Sequence, residues 1–251
     1  MKKIFLSLLL MAVLLSVSTS AHAVLIDWTD WTTSDSTNGF TAYGTMTTAT
    51  TTVNVTYNNP LGVGFYQPSG GIDYWQNGHS GRTEATSPYT STFVDNIPTG
   101  TDIIALNKAG VQALTFSKAI ANPVFAYVSL NGNGYAFDRD FEILSVGGVD
   151  GNDCGYWGCG TSYKSIVEIS TGVYEYQLLG TGEPHGALRF TGEFDTVTWR
   201  SLTNEYWNGF TVGVERTAEE IRNENNAVPE PASMLLFGTG LVGAVLRRRR
   251  K

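Results

Sequence analysis

Apolar and polar residues alternate through much of the middle of this 251-residue chain. Alternation with a period of two is typical of β-strands that bury one face. The pattern predicts strands at 113–116, 124–130, 135–146, 165–170, 172–179, 186–191, 194–200 and 209–215. The middle contains no long amphipathic helical pattern, so we expect an all-β domain there.

The spacing of the turns indicates how these strands are arranged. Turn signals such as Asn131-Gly132-Asn133-Gly134 recur every eight to twelve residues or so, and no helix intervenes. This spacing favours an antiparallel β-sandwich of the jelly-roll kind, which we place at residues 24–216. A β-helix is the alternative fold, but the sequence has no repeat of fixed period.

The start of the chain has a different pattern. Met1, Lys2 and Lys3 precede an apolar run, which is followed by small residues at Ala21 and Ala23. A basic start, an apolar run and a small-x-small site are typical of a secretory signal peptide. We therefore expect residues 1–23 to be a signal helix that engages the Sec translocon. Signal peptidase would cut after Ala23 and leave Val24 as the first mature residue.

The end of the chain has three parts after a polar stretch at 217–227, which is predicted to be a linker. Residues 232–246 carry no charge and would form a helix about 22 Å long, short for a bilayer core of about 30 Å. The basic residues after it would stay in the cytoplasm and hold the domain outside. They are Arg247, Arg248, Arg249, Arg250 and Lys251. The sequence therefore predicts a C-terminal transmembrane helix.

This tail resembles the PEP-CTERM sorting signal of Gram-negative bacteria. The short motif that carries the resemblance is Val228, Pro229, Glu230 and Pro231, followed by the apolar helix and the basic end at 247–251. The resemblance implies an exosortase partner, a membrane peptidase that processes the tail near the motif. It also implies transient anchoring in the inner membrane, facing the periplasm, and a final place on the cell surface or outside it. An anchor that is never cut is the alternative.

Bacteria with such proteins tend to make exopolysaccharide or biofilm. The resemblance therefore implies a structural or interaction role in that material. A carbohydrate-binding module of jelly-roll type is the alternative function, and a secreted glycan-active enzyme is a third. The chain has no Gly-x-Ser-x-Gly elbow, no His-Glu-x-x-His and no phosphate-binding loop, so we expect no catalytic activity.

Charge narrows the range of partners. Residues 24–222 hold nine Lys and Arg against twenty-one Asp and Glu, a net charge of 9 − 21 = −12. Because such a surface repels phosphate backbones, we expect no binding to nucleic acid.

Cys154 and Cys159 are the only two cysteines in the chain. In an exported protein an even pair is most simply a disulfide. Half of a zinc site is the alternative, but only His79 and His185 remain in the mature chain as further histidine ligands.

Two loops carry candidate binding residues. The glycine-rich loops contain the aromatic residues Tyr74, Trp75, Tyr156 and Trp157. Exposed rings of this kind stack on sugar faces, although each ring could instead cap the sandwich core. We expect no cofactor except a structural calcium ion. Its oxygen ligands would be Asp150, Asn152 and Asp153, and an ordinary turn is the alternative reading of that stretch.

Overall fold

Two antiparallel β-sheets pack face to face in the computed structural model, which describes residues 23–227. Within this range the strands are β1 (Asp27–Trp28), β2 (Asp30–Asp35), β3 (Phe40–Thr47), β4 (Thr52–Asn59), β5 (Phe65–Gln67), β6 (Ile103–Leu106), β7 (Gly110–Ala121), β8 (Val124–Val128), β9 (Gly134–Phe137), β10 (Phe141–Val146), β11 (Gly160–Ser170), β12 (Val173–Gly182), β13 (Gly186–Phe190), β14 (Glu193–Ser201), β15 (Asn208–Val214) and β16 (Arg216–Thr217).

The strand order defines the two layers. The first sheet has the order β10-β13-β8-β15-β6-β5, with β1 beside β15. The second sheet has the order β11-β12-β9-β14-β7-β4-β3-β2, with β16 beside β7. Every pair of named strands within residues 23–227 is antiparallel. The predicted antiparallel sandwich is confirmed.

The main core lies between the sheets and is unusually aromatic. Phe125 and Phe210 of the first sheet contact Trp199 of the second, with ring centroids 5.4 Å and 5.1 Å apart. Phe137 packs against Phe190 at 4.9 Å. These side chains are fully buried, and their edge-to-face contacts add to the hydrophobic stabilisation of the sandwich.

A second core lies on the outer face of the first sheet. All residues of Ile103–Leu106 and Val124–Val128 are buried, because residues 68–102 fold over this face. We call residues 68–102 the covering segment. Its side chains Trp75 and Tyr89 fill the space above the sheet. The covering segment thus adds a third layer, and the candidate functional site lies at its edge.

Two sequence predictions differ from the structure. Residues 135–146 form two strands instead of one, because the polar run Asp138–Asp140 carries the chain from β9 in the second sheet to β10 in the first. The prediction of a linker at 217–227 is also wrong. These residues complete β16 and then form the α-helix α1 (Ala218–Ala227), whose first residue is buried.

Several predicted features lie outside the described residues. They are the signal helix with Ala21, the motif at 228–231, the apolar helix at 232–246 and the basic end at 247–251. Val24, the predicted first mature residue, is described. Its amide donates to the Phe93 carbonyl at 3.3 Å, and its carbonyl accepts from the Asp95 amide at 3.0 Å. Among residues 23–227, no helix has both the length and the apolar character needed to cross a membrane.

Candidate functional site

The six residues from Cys154 to Cys159 form a closed loop at the surface. The two cysteines are bonded, which confirms the predicted disulfide. Within this disulfide loop, the Gly158 amide donates to the Gly155 carbonyl at 3.0 Å and makes a tight turn. Backbone hydrogen bonds from other parts of the fold hold both ends of this loop in place. The Gly78 amide donates to the Cys154 carbonyl at 2.9 Å, and the Glu183 amide donates to the Cys159 carbonyl at 3.1 Å.

His185 supports the disulfide loop from below. Its side chain is fully buried, and its Nδ1 lies 2.8 Å from the Glu183 carbonyl oxygen. Burial lowers the pKa of the imidazole to about 4, so the ring is neutral at pH 7 and Nδ1 donates the hydrogen bond. Gly155 packs directly on this ring, where a side chain would overlap it. Position 155 therefore has to be glycine for the loop to approach the sheet this closely.

Six rings from four separate parts of the chain meet beside this loop. Tyr156 lies 4.9 Å from Trp157 and 5.2 Å from Tyr74, measured between ring centroids. Trp207 lies 5.0 Å from both Tyr74 and Phe65. We call this cluster the aromatic patch, and its members are Phe65, Tyr74, His79, Tyr156, Trp157 and Trp207.

The exposure of these rings gives them different roles. Trp157 is 48% exposed and His79 is also exposed, so both rings are open to a ligand. Tyr156, Trp207 and Phe65 are half-buried and pack between the exposed rings and the second core. Tyr74 is buried and joins the two groups. The patch therefore presents an apolar aromatic surface with a rigid base.

The structure corrects the prediction for Trp75. This side chain is fully buried, and its Nε1 donates to the Asp102 carbonyl at 3.2 Å. Its ring packs edge-on against Tyr89 at 5.1 Å. Trp75 cannot reach a ligand because it fills the second core, the alternative considered for each of these rings.

Sequence reasoning missed three members of the aromatic patch. Trp207 lies in the irregular segment directly before β15, and its role could not be assigned from its neighbours in sequence. Phe65 belongs to β5, and His79 lies in the covering segment. The glycine-rich composition around Trp157 was a usable signal, but nothing in the sequence shows that these four segments meet.

The predicted calcium ligands form a turn. The Asn152 amide donates to the Val149 carbonyl at 3.0 Å, and Asp150 has a positive φ of 53°. The Asp153 carboxylate accepts from Asn77 Nδ2 at 3.0 Å and from Thr86 Oγ1 at 2.6 Å, and these bonds lower its pKa. Within residues 23–227, no group of three or more His, Cys, Asp or Glu side chains is arranged to hold a metal ion.

Glu205, two residues before Trp207 in the chain, carries a partly buried carboxyl group. Glu205 has its pKa raised to about 7, chiefly by burial. Its Oε1 accepts from Asn208 Nδ2, and Asn208 Oδ1 in turn accepts from the Tyr135 hydroxyl. The Thr203 amide donates to Asn133 Oδ1 at 2.9 Å. This network ties the loop before β15 to β9, a structural role that accounts for all of these contacts.

A comparison with known protein families identifies the C-terminal tail. Residues 227–250 match the PEP-CTERM protein-sorting motif, a range that includes the predicted sorting motif and the basic residues up to Arg250. No curated protein and no solved structure matches the chain. The match confirms the resemblance recognised in the tail, while the β-sandwich itself has no assigned family. The chain therefore carries a PEP-CTERM sorting motif and is an exported protein sorted to the cell surface by exosortase.

Proposed function

We propose that the β-sandwich binds polysaccharide at the cell surface or in the extracellular matrix, as a non-catalytic structural or interaction protein. The observation that carries this proposal is the position of Trp157. Its indole ring is half exposed at the turn of a disulfide-closed loop, beside the rings of Tyr156, Tyr74, His79 and Trp207. Indole rings stack on the apolar faces of sugar rings, and such platforms are typical of carbohydrate-binding modules.

The rigid base of the patch supports this role. Binding a flexible polymer costs conformational entropy, and a surface that is already ordered adds little to that cost. The disulfide, the backbone bonds from Gly78 and Glu183, and the contact of Gly155 with His185 all fix the loop in place before a ligand arrives.

Charge favours one class of polysaccharide. The net charge of −12 over residues 24–222 repels acidic polymers, so the proposed ligand is a neutral polysaccharide. Arg82, in the covering segment that carries Tyr74 and His79, is held by Asp73 at 2.7 Å and by backbone carbonyls. These bonds occupy the guanidinium that an acidic sugar would need.

A binding measurement with paired variants tests the proposal. The processed protein, purified from its host, is titrated with the host exopolysaccharide and with a panel of neutral and acidic polysaccharides. Trp157→Ala is expected to weaken binding about tenfold, because it removes the exposed indole ring of the patch. Tyr43→Ala is the matched control, since Tyr43 is 45% exposed on β3 and lies outside the patch.

Three outcomes would overturn the proposal. Equal affinities for wild type and Trp157→Ala would remove the aromatic patch from the site. Binding to none of the polysaccharides would leave a purely structural or protein-binding role. Release of reducing sugar from any member of the panel would show catalysis and favour the glycan-active alternative.

A separate measurement tests the processing of the C-terminal tail. The intact mass of the mature protein is determined from hosts with and without exosortase. We expect a chain that ends near Val228–Pro231 only when exosortase is present. A mass that retains residues 232–251 in both hosts would show a permanent anchor instead.

A further inference from the structure

β11 forms an open edge of the second sheet. Within residues 23–227 it pairs with β12 and with no other strand. β12 is itself supported by β9 only over Tyr176–Leu179, so the far half of the β11–β12 hairpin extends beyond the sheet. Unpaired amide and carbonyl groups along such an edge are ready to bond with another strand.

The exposed side chains of β11 are unusual for a free edge. Ile166 is 56% exposed and Ile169 is 60% exposed, and Tyr163 lies half exposed nearby. The opposite edge of the same sheet is β2, which has aspartate at both ends, Asp30 and Asp35. Terminal charges of that kind discourage edge pairing, whereas the apolar residues of β11 favour it.

We propose that β11 pairs antiparallel with β11 of a second copy of this chain, about a two-fold axis through Ile166. A two-fold axis perpendicular to the sheet keeps each side chain on the face of the sheet where it already lies. Even-numbered residues of one copy can therefore be opposed only by even-numbered residues of the other copy, and odd-numbered residues only by odd-numbered ones. The axis at Ile166 brings Lys164 opposite Glu168 of the second copy, and Ile166 opposite its own counterpart. Opposite charges and apolar pairs at directly opposed positions stabilise antiparallel strands.

Other registers lose this complementarity. An axis at Lys164 or Glu168 would oppose like charges at its centre. An axis at Ser165 would place Lys164 opposite Ile166, and an axis at Val167 would place Glu168 opposite Ile166. Among these five registers the one centred on Ile166 alone pairs the two charges.

The side chains that form the proposed pairs are accessible. Lys164 Nζ donates to the Asp140 carboxylate at 2.8 Å and to the Phe141 carbonyl at 3.0 Å, which leaves its third N–H for the opposing glutamate. Glu168 accepts from the Gly172 amide at 2.9 Å through one oxygen, which leaves its second oxygen for the opposing lysine. Pairing would join the second sheets of two copies into one continuous sheet, and it leaves the aromatic patch uncovered because that patch lies on the first sheet.

Charge exchange tests the register. The association of the processed protein is measured by sedimentation velocity over a concentration series. Wild type is expected to dimerise, while Lys164→Glu and Glu168→Lys each place like charges in two symmetric pairs and weaken association at least tenfold. The double variant restores opposite charges and is expected to dimerise again. The double variant loses the same local contacts as the single variants. If it dimerises again, the single variants weaken the interface and do not merely fold poorly.

Crosslinking tests the axis. At Ile166 the two Cα atoms would lie about 4.5–5.5 Å apart, within the range of a disulfide, so Ile166→Cys is expected to form a covalent dimer. Ile169→Cys is the matched control, since its two copies would lie six residues apart, about 20 Å. A wild-type monomer at all concentrations, single charge variants that dimerise like wild type, or equal crosslinking at both positions would each overturn the proposal. A monomer that binds lipid vesicles through Ile166 would show a membrane contact in its place.

Discussion

The backbone of Gly155 lies against the imidazole ring of His185, with no space for a side chain between them. A Cβ atom at position 155 would lie 2.1 Å from His185 Cγ, far inside van der Waals contact. His185 is fully buried, so the ring has little room to move away. This single contact sets how closely the disulfide loop, and Trp157 with it, approaches the sheet.

Gly155→Ala is therefore expected to push the disulfide loop outward. Overpacking of this kind costs about 1–3 kcal/mol, and the displaced Trp157 should bind polysaccharide more weakly. Urea unfolding and polysaccharide titration measure the two effects. In a His185→Gly background the ring and its Cβ, the atoms that an alanine at 155 would overlap, are both absent, so its added cost should disappear. An equal cost in both backgrounds would contradict the account of this contact.

The disulfide is expected to matter more for binding than for stability. Replacing both Cys154 and Cys159 by Ser releases a loop of six residues. Loop-closure entropy gives only about 2 kcal/mol for so short a ring. The free loop would lose the fixed position of Trp157, so binding should weaken about as much as in Trp157→Ala. Unchanged affinity in the double serine variant would show that the disulfide does not order the site.

Thr217 and Glu220 form a helix cap that is visible in the sequence but was not predicted from it. The Glu220 amide donates to Thr217 Oγ1 at 3.1 Å, and the Thr217 amide donates to Glu220 Oε2 at 2.7 Å. This is a capping box, readable from the spacing Thr-x-x-Glu. The polar composition of 217–227 suggested a linker, but the caps and the burial of Ala218 favour a helix docked on the domain.

The burial of Trp75 has a different explanation. The runs Ile103–Leu106 and Val124–Val128 are apolar on both faces, which is typical of strands covered on both sides. That pattern predicts some third layer over the first sheet. It does not predict that the irregular covering segment forms this layer, because the segment has no period of its own. Local alternation therefore predicts the strands, whereas the aromatic patch depends on contacts between distant segments.

The capping box gives a stability prediction. Thr217→Ala removes the side-chain oxygen that accepts from the Glu220 amide and should lower the free energy of unfolding by about 1 kcal/mol. Glu219→Ala is the control, because Glu219 is exposed on the same first turn of α1. Urea unfolding of both variants checks the difference. Equal losses in the two variants would contradict a specific role for the cap.

Glu205 gives a prediction for the dependence of stability on pH. Burial raises its folded pKa to about 7, from an ordinary value of 4.5, so the folded state favours the protonated acid. This contribution is fully present below pH 4.5 and is lost as the pH rises through 7. Glu205→Gln resembles the protonated form at every pH. The variant should therefore gain stability relative to wild type at pH 8 but not at pH 4.5.

The comparison of Glu205→Gln with wild type isolates this group from others that titrate. Burial lowers the His185 pKa to about 4, so its contribution is present above pH 6.5 and is lost as the pH falls toward 4. That effect is common to both proteins and cancels in the difference between their unfolding free energies. A difference that stays constant from pH 4.5 to 8 would contradict the assignment to Glu205.

The most direct test of the central claim is the distribution of the protein in its own host culture. Cells that contain exosortase express either wild type or Trp157→Ala, and each protein is quantified in the purified exopolysaccharide and in the free medium. We predict that wild type stays with the polysaccharide, while the variant, processed to the same C-terminus, moves to the medium. An identical distribution of the two proteins would contradict a role for the aromatic patch in holding this protein to polysaccharide.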